Sequence, residues 1–271
     1  MKSLIIPDIH NNHTLAETII GKVKPDHTYF LGDYFDNFDD TYEEIAETAD
    51  WLSWSVYQKD RTHLMGNHDV HYRFAANSGI RCGGYEQAKS VIIENRVKPE
   101  HWKQIKFFAY VGDWLLSHAG IHPYWIDAGK LRNDEPVIIS KDDLTKKLER
   151  DSIDCITQLE KGKTHWFVVA GWARSRSPFV GGLLWCDFNE EFSPLRGIHQ
   201  IIGHTPSRDK IRWKVLKSGD PAVYAPAEGA KPELNENTSF NVCFDSYPAL
   251  KWYGILEGNE LSIHETKDAL K

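Results

Sequence analysis

Three polar clusters follow short apolar runs early in the chain: Asp8-Ile9-His10, then Gly32-Asp33-Tyr34-Phe35-Asp36, then Gly66-Asn67-His68-Asp69. Two later histidines stand in similar settings, His118 in the run SHAG and His204 in the run GHTP. Imidazole nitrogen mixed with carboxylate and amide oxygen suits manganese, iron or zinc better than calcium or magnesium. The set is too large for one tetrahedral ion, but two cations sharing a carboxylate would accommodate it. Water held between such cations ionises near neutral pH, and the pair can take up charge on a phosphoryl group. The chemistry this mixture predicts is therefore phosphate ester hydrolysis.

Such distant residues meet only if the fold carries them to one place. Ser3–Ile6, His27–Leu31 and Arg61–Met65 read as strands, with helices over Thr14–Lys22 and Tyr42–Lys59 between them. Ile45, Ala49, Leu52 and Val56 give the second helix a buried stripe. This β-α-β-α-β order predicts parallel strands, and ligands bind beyond the carboxyl ends of such strands. Each cluster lies at such an end. Phe107–Val111 and Trp114–Ser117 read as a hairpin turned at Gly112-Asp113. Ser140–Lys161 reads as a charged helix interrupted near Asp151, and Ile198–Gly203, Asn241–Asp245, Lys251–Leu256 and Glu260–His264 as late strands. Lys217–Asn237, rich in Pro, Gly, Ala and Glu, reads as a long surface loop. The 271 residues are taken as a single domain, 1–271.

In this order, the blocks DxH, GDxxD, GNHD, SHAG and GHTP resemble those of the calcineurin-like metallophosphoesterases. The details lean toward the phosphoprotein phosphatase and diadenosine tetraphosphatase branch. GDYFD is similar to that branch's GDxVDRG block, and Leu183-Leu184-Trp185 to its LLW stretch. The resemblance implies an α/β sandwich of αββα type, with two central mixed sheets flanked by helices. It implies that Asp8 and His10 hold one metal, that Asp33 bridges, and that Asn67, His118 and His204 hold the second. His68 would be the general acid, positioned by Asp36. Two divalent ions follow, manganese first among them, with iron or zinc as alternatives.

The sequence departs from the family pattern at the substrate. Asn37 stands where the second block usually carries a phosphate-gripping arginine, and Asp245-Ser246-Tyr247 replaces a DTG-like element. A planar guanidinium fork still matches phosphate oxygens best. Arg174 and Arg176, in GWARSRSPFVGG, are the favoured substitutes, with Arg73 and Arg196 behind them. The expected activity is phosphomonoester hydrolysis of the serine/threonine phosphatase kind. The alternative is cleavage of a dinucleotide polyphosphate or other nucleotide, and a non-catalytic scaffold of the same fold stands third. His13 and His71, close to the motifs, are candidates to line the pocket.

A net charge of −7 with no basic stripe argues against a nucleic-acid duplex as partner. No apolar run nears the roughly 18 residues of a membrane span, and the start lacks a secretory apolar region. Cys82, Cys155, Cys186 and Cys243 are scattered and form no C-x-x-C pair, so a reducing cytoplasm is expected. The partner expected is a phosphorylated protein or small molecule; the sequence leaves the oligomeric state open.

Overall fold

A computed structural model describes residues 1–37, 39–126, 139–217, 220–224 and 238–270. In the first third, β1 (Lys2–Ile6), α1 (His13–Val23), β2 (His27–Phe30), α2 (Tyr42–Ser55) and β3 (Arg61–His63) alternate. The three strands are parallel neighbours. Three helices follow: α3 (Asn67–Arg73), α4 (Gln87–Arg96) and α5 (Pro99–Trp102). The hairpin forms as expected, β4 (Phe108–Val111) against β5 (Trp114–Ser117). Next come α6 (Lys141–Glu160), β6 (His199–Ile202), β7 (Arg212–Lys217), β8 (Asp220–Tyr224) and β9 (Thr238–Cys243). The described chain closes with β10 (Trp252–Glu257), β11 (Glu260–Glu265) and α7 (Thr266–Ala269).

These strands form two mixed sheets, ordered β11-β10-β1-β2-β3 and β4-β5-β6-β9-β7-β8. The expected sandwich is the observed one. Ile5, Tyr29, Leu31 and Leu64 of the first sheet pack with Trp114, Leu116, Ile201 and Val242 of the second. On its other face the first sheet packs Leu4, Ile6 and Phe30 against Ile19 of α1 and Ile45, Ala49 and Leu52 of α2. Leu4, Ile5 and Ile6 are all fully buried, as a strand covered on both faces requires. Each such side chain contributes about 1.5–3 kcal/mol. The start of α2 is set by a capping box, Thr41 with Glu44.

The sheet order has a consequence for the site. The first sheet contains one parallel triplet, β1, β2 and β3; the second contains another, β5, β6 and β9. Asp8, Asp33 and Asn67 lie just past the ends of the first three, and His118, His204 and Asp245 just past the ends of the second three.

Three expectations change. The α6 helix runs unbroken through Asp151. That carboxylate is nearly buried and accepts hydrogen bonds from Lys147 Nζ (2.6 Å) and Trp166 Nε1 (3.0 Å), so it is accommodated without a break. The second helix stops at Ser55, short of Lys59. The Lys217–Asn237 loop is partly strand: β8 pairs antiparallel with β7. The rest of that loop, 218–219 and 225–237, lies outside the described residues.

Candidate functional site

The loops after β1, β2 and β3 are tied to one another by their backbones. The amides of Ile9 and His10 donate to the Asp33 carbonyl, and that of Asn11 to the Tyr34 carbonyl. Asp69, fully buried, joins the second and third loops. Its carboxylate accepts from the amides of Gly66, Asp33 and Tyr34, each at 2.8 Å. The contact is close enough to demand glycine. A Cβ on Gly32, which sits at φ +105°, would lie 2.5 Å from the Gly66 nitrogen. His10, Asn11, Asp33, Asp36 and His204 all adopt positive φ, which costs each of them conformational energy. Concentration of such backbone here marks the loops as shaped for a purpose other than stability.

Within this frame, Asp33, His118 and His204 each bring one ligand atom within 4.8 Å of the others, and so do Asp8, His10 and Asp33. Asp33 belongs to both groups. Asn67 joins the first: its Oδ1 lies 2.8 Å from His118 Nε2 and 2.8 Å from His204 Nδ1. Those two nitrogens are 3.2 Å apart. His118 Nδ1 donates to the Leu31 carbonyl, and His10 Nδ1 to that of Phe35, so in both rings Nε2 is the nitrogen left for the cluster.

This crowding tests whether cations fit. Asn67 Oδ1, His118 Nε2 and His204 Nδ1 face one another at 2.8–3.2 Å. Protons on the two rings serve at most the two contacts to Asn67 Oδ1 and leave the ring nitrogens opposed at 3.2 Å, whereas a cation accepts all three atoms together with Asp33. The carboxylates give the same answer. Asp8, Asp33 and Asp245 are each at most 2% exposed. Burial, then the anions of Asp245 and Asp33, drives the Asp8 carboxyl well above its ordinary range. Burial and the Asp33 charge push Asp245 up to about 7, against a hydrogen bond from the Ser246 amide. Such a cluster is relieved by positive charge at its centre. The donor set fits a pair of divalent ions of the manganese, iron or zinc type.

His68 stands beside this cluster. Its Nδ1 is 3.0 Å from Asp36 Oδ2, which leaves Nε2 for the cavity that His68 lines. Burial disfavours its charge, but the carboxylates of Asp33 and Asp36 outweigh that and hold it protonated well above its ordinary value. Burial likewise opposes charge on Asp36, and the hydrogen bond from His68 with the nearby His71 imidazole overcomes it and keeps Asp36 ionised.

The cavity over these groups has a volume of about 970 Å³. His10, Asp33, Asp36, Asn67, His68, His204 and Asp245 line it, with Arg81, Lys89 and Arg174 as its cations. Val168, Val169, Trp185 and Pro206 supply apolar wall. Arg174 reaches it with Nη2 held 2.7 Å from Asp187 Oδ2. Arg176, Arg73 and Arg196 are not among the lining residues, nor are His13 and His71. His13 instead meets Thr48 through Nδ1 at 3.1 Å. His71 stands behind the wall, its Nε2 3.1 Å from Asp36 Oδ2.

Sequence reasoning placed Asp69 in the third cluster and the GNHD block without giving it a role, passed over Cys82, and gave Asp245 only a faint weight. Asp245 was findable by the rule that located the others, a polar residue just past an apolar strand. The roles of Asp69 and Cys82 carried no such signal, because they come from contacts to other loops. Cys82 Sγ lies 3.2 Å from His71 Nδ1.

A family model described as calcineurin-like phosphoesterase matches residues 1–208. Among solved structures, the cold-active protein-tyrosine phosphatase of a psychrophile Shewanella sp. is similar at 16% identity and a TM-score of 0.54. The match covers 98% of this chain and 78% of that one. A protein serine/threonine phosphatase from Saccharomyces cerevisiae is similar at 13% identity and a TM-score of 0.45, over 97% of this chain and 79% of that one. At 16% identity the likeness to the Shewanella enzyme is one of fold alone. Among curated proteins, none matches. No helix among the described residues is long and apolar enough to cross a membrane.

Proposed function

The chain belongs to the calcineurin-like phosphoesterases, and from that premise we propose that it is a dimetal phosphatase acting on phosphomonoesters. The observation that carries this reading is that Asp33 is common to both candidate ligand groups while His68, backed by Asp36, stands at their side. In this reading Asp8 and His10 hold one cation, Asn67, His118 and His204 the other, and Asp33 both. The cations supply Lewis acidity toward the phosphoryl oxygens and water that ionises near neutral pH.

The chain's own residues do the rest. Arg174, kept in place by Asp187, presents its remaining N–H groups to a phosphate oxygen and takes the part that Asn37 cannot. His68 donates the proton the leaving oxygen needs as the P–O bond breaks, and Asp36 holds the imidazole so that Nε2 faces that oxygen. Arg176, outside the cavity lining, is left without this role.

A second reading is favoured by the cavity itself. Its volume of about 970 Å³ and its apolar wall leave room for a nucleoside beside the phosphate. Turnover of phosphoserine and phosphotyrosine peptides should be compared with that of diadenosine tetraphosphate, each with added manganese. A kcat/KM at least tenfold higher on the peptides supports the phosphomonoesterase reading. Preference for the dinucleotide transfers the assignment to the second reading, and no metal-dependent turnover of any of them rejects both.

A further inference from the structure

The Asp36 carboxylate serves more than His68. Its Oδ1 accepts a hydrogen bond of 2.6 Å from the Tyr72 hydroxyl, and Lys89 Nζ lies 3.4 Å from the same oxygen. Its Oδ2 faces His68 Nδ1 at 3.0 Å and His71 Nε2 at 3.1 Å. Tyr72 is 5% exposed and Lys89 3%, so neither group is there for solvent. Lys89 also meets Asp40 Oδ1 at 2.8 Å and the Gly84 carbonyl at 3.1 Å. The backbone at Gly84 seals the arrangement: a Cβ there would lie 2.8 Å from Asp36 Cβ and 2.9 Å from Cγ, and its φ is +90°. One segment thus packs Gly84 against the carboxylate and, five residues on, holds it with Lys89, the third residue of α4.

A carboxylate that only had to balance the charge of His68 would need neither contact. Tyr72 and Lys89 reach the oxygen on the far side from His68, where they can fix the plane of the carboxylate without touching the imidazole. We infer that Tyr72 and Lys89 are positioning residues that lock the Asp36 carboxylate, and through it aim His68 at the leaving oxygen. This rests on the phosphatase reading above. In the step concerned, a hydroxide oxygen, whose water has already given up one proton to solvent, bonds to phosphorus and keeps its hydrogen on the phosphate formed, while the P–O bond to the leaving group breaks. The departing oxygen takes the bonding pair and receives the proton from His68 Nε2. A strongly basic leaving oxygen needs that proton; a weakly basic one such as p-nitrophenolate departs without it.

The test is the dependence of kcat/KM on leaving-group basicity, measured with substituted phenyl phosphates and an alkyl phosphate. Tyr72→Phe removes only the hydroxyl and keeps the ring, which packs edge-on with Phe35 and stacks on Tyr85. Lys89→Met removes the second contact by an independent route. Tyr72→Phe, outside the cavity lining, is expected to lose about tenfold on the alkyl phosphate and less than about twofold on p-nitrophenyl phosphate, with KM and bound metal unchanged. Lys89→Met, whose side chain also lines the cavity, is expected to lose at least about fivefold more on the alkyl phosphate than on p-nitrophenyl phosphate, on top of any uniform loss. The slope against leaving-group pKa steepens accordingly. A loss equal across the series in both variants, or no loss in either, overturns the inference while leaving the phosphatase reading intact. Absence of wild-type turnover with metal bound removes that reading, and the inference with it.

Discussion

Asp69→Ala should destabilise the protein severely, and the magnitude follows from three hydrogen bonds. The carboxylate is fully buried and is the acceptor for the amides of Gly66, Asp33 and Tyr34, all at 2.8 Å. Alanine leaves these donors facing a small void. An orphaned buried donor costs about 1–3 kcal/mol, so three cost on the order of 3–9 kcal/mol before relaxation. Total stabilities are about 5–15 kcal/mol, so Asp69→Ala sits at the edge of folding. Asp69→Asn is the informative partner. Its carbonyl can serve the Gly66 and Asp33 amides, while its NH₂ meets the Tyr34 amide, donor to donor. One orphan predicts a loss of about 1–3 kcal/mol. Urea unfolding of wild type and both variants, monitored by tryptophan fluorescence, reads these values directly. Metal content measured alongside should fall, because the displaced amides belong to Asp33 and its neighbour. A loss below about 1 kcal/mol for alanine would refute the claim that Asp69 ties the second and third loops.

Other consequences are as direct. His63 is buried between Ser55 Oγ and the Tyr34 hydroxyl and stacks on Phe30. Burial, then the Arg61 charge, lowers its pKa from 6.5 to about 3. The unfolded chain therefore binds the proton first. The stabilisation is complete above pH 6.5 and is lost as pH falls from there through about 3, by about 1.4 kcal/mol per pH unit for this group. Urea midpoints from pH 7 to 4 should show that slope, and His63→Gln should reduce it; an unchanged slope would place the titration elsewhere. Arg174→Ala should raise KM and the inhibition constant for inorganic phosphate by about tenfold, whereas Arg176→Ala should change either by less than about twofold. Equal effects from both would remove Arg174's special place.

The sequence was most legible where chemistry sits at the end of a regular element. Asp8, Asp33 and Asn67 each close an apolar strand, and α2 shows its buried stripe plainly, so β-α-β order and one rim of the site followed together. His118 and His204 obeyed the same rule in the second sheet. Illegible were the features made by tertiary contact. The α3 helix, Asn67–Arg73, is too short to show a period. β8 lies inside, and β7 runs into, a stretch whose composition reads as loop, and the pairing of β7 with β9 is a long-range event. Asp151 looked like a break in α6 because its partner Trp166 lies beyond the helix. Tyr72, Lys89 and Gly84 have no motif; they matter through Asp36, which only the fold brings to them.

Metal stoichiometry bears most directly on the site as a whole. Purified protein freed of metal by chelation and reconstituted with manganese should bind close to two ions per chain by elemental analysis. Asp33→Asn, which weakens the carboxylate common to both ligand groups, should bind fewer than one. Wild type binding no manganese, or Asp33→Asn still binding two, would contradict the shared-carboxylate centre.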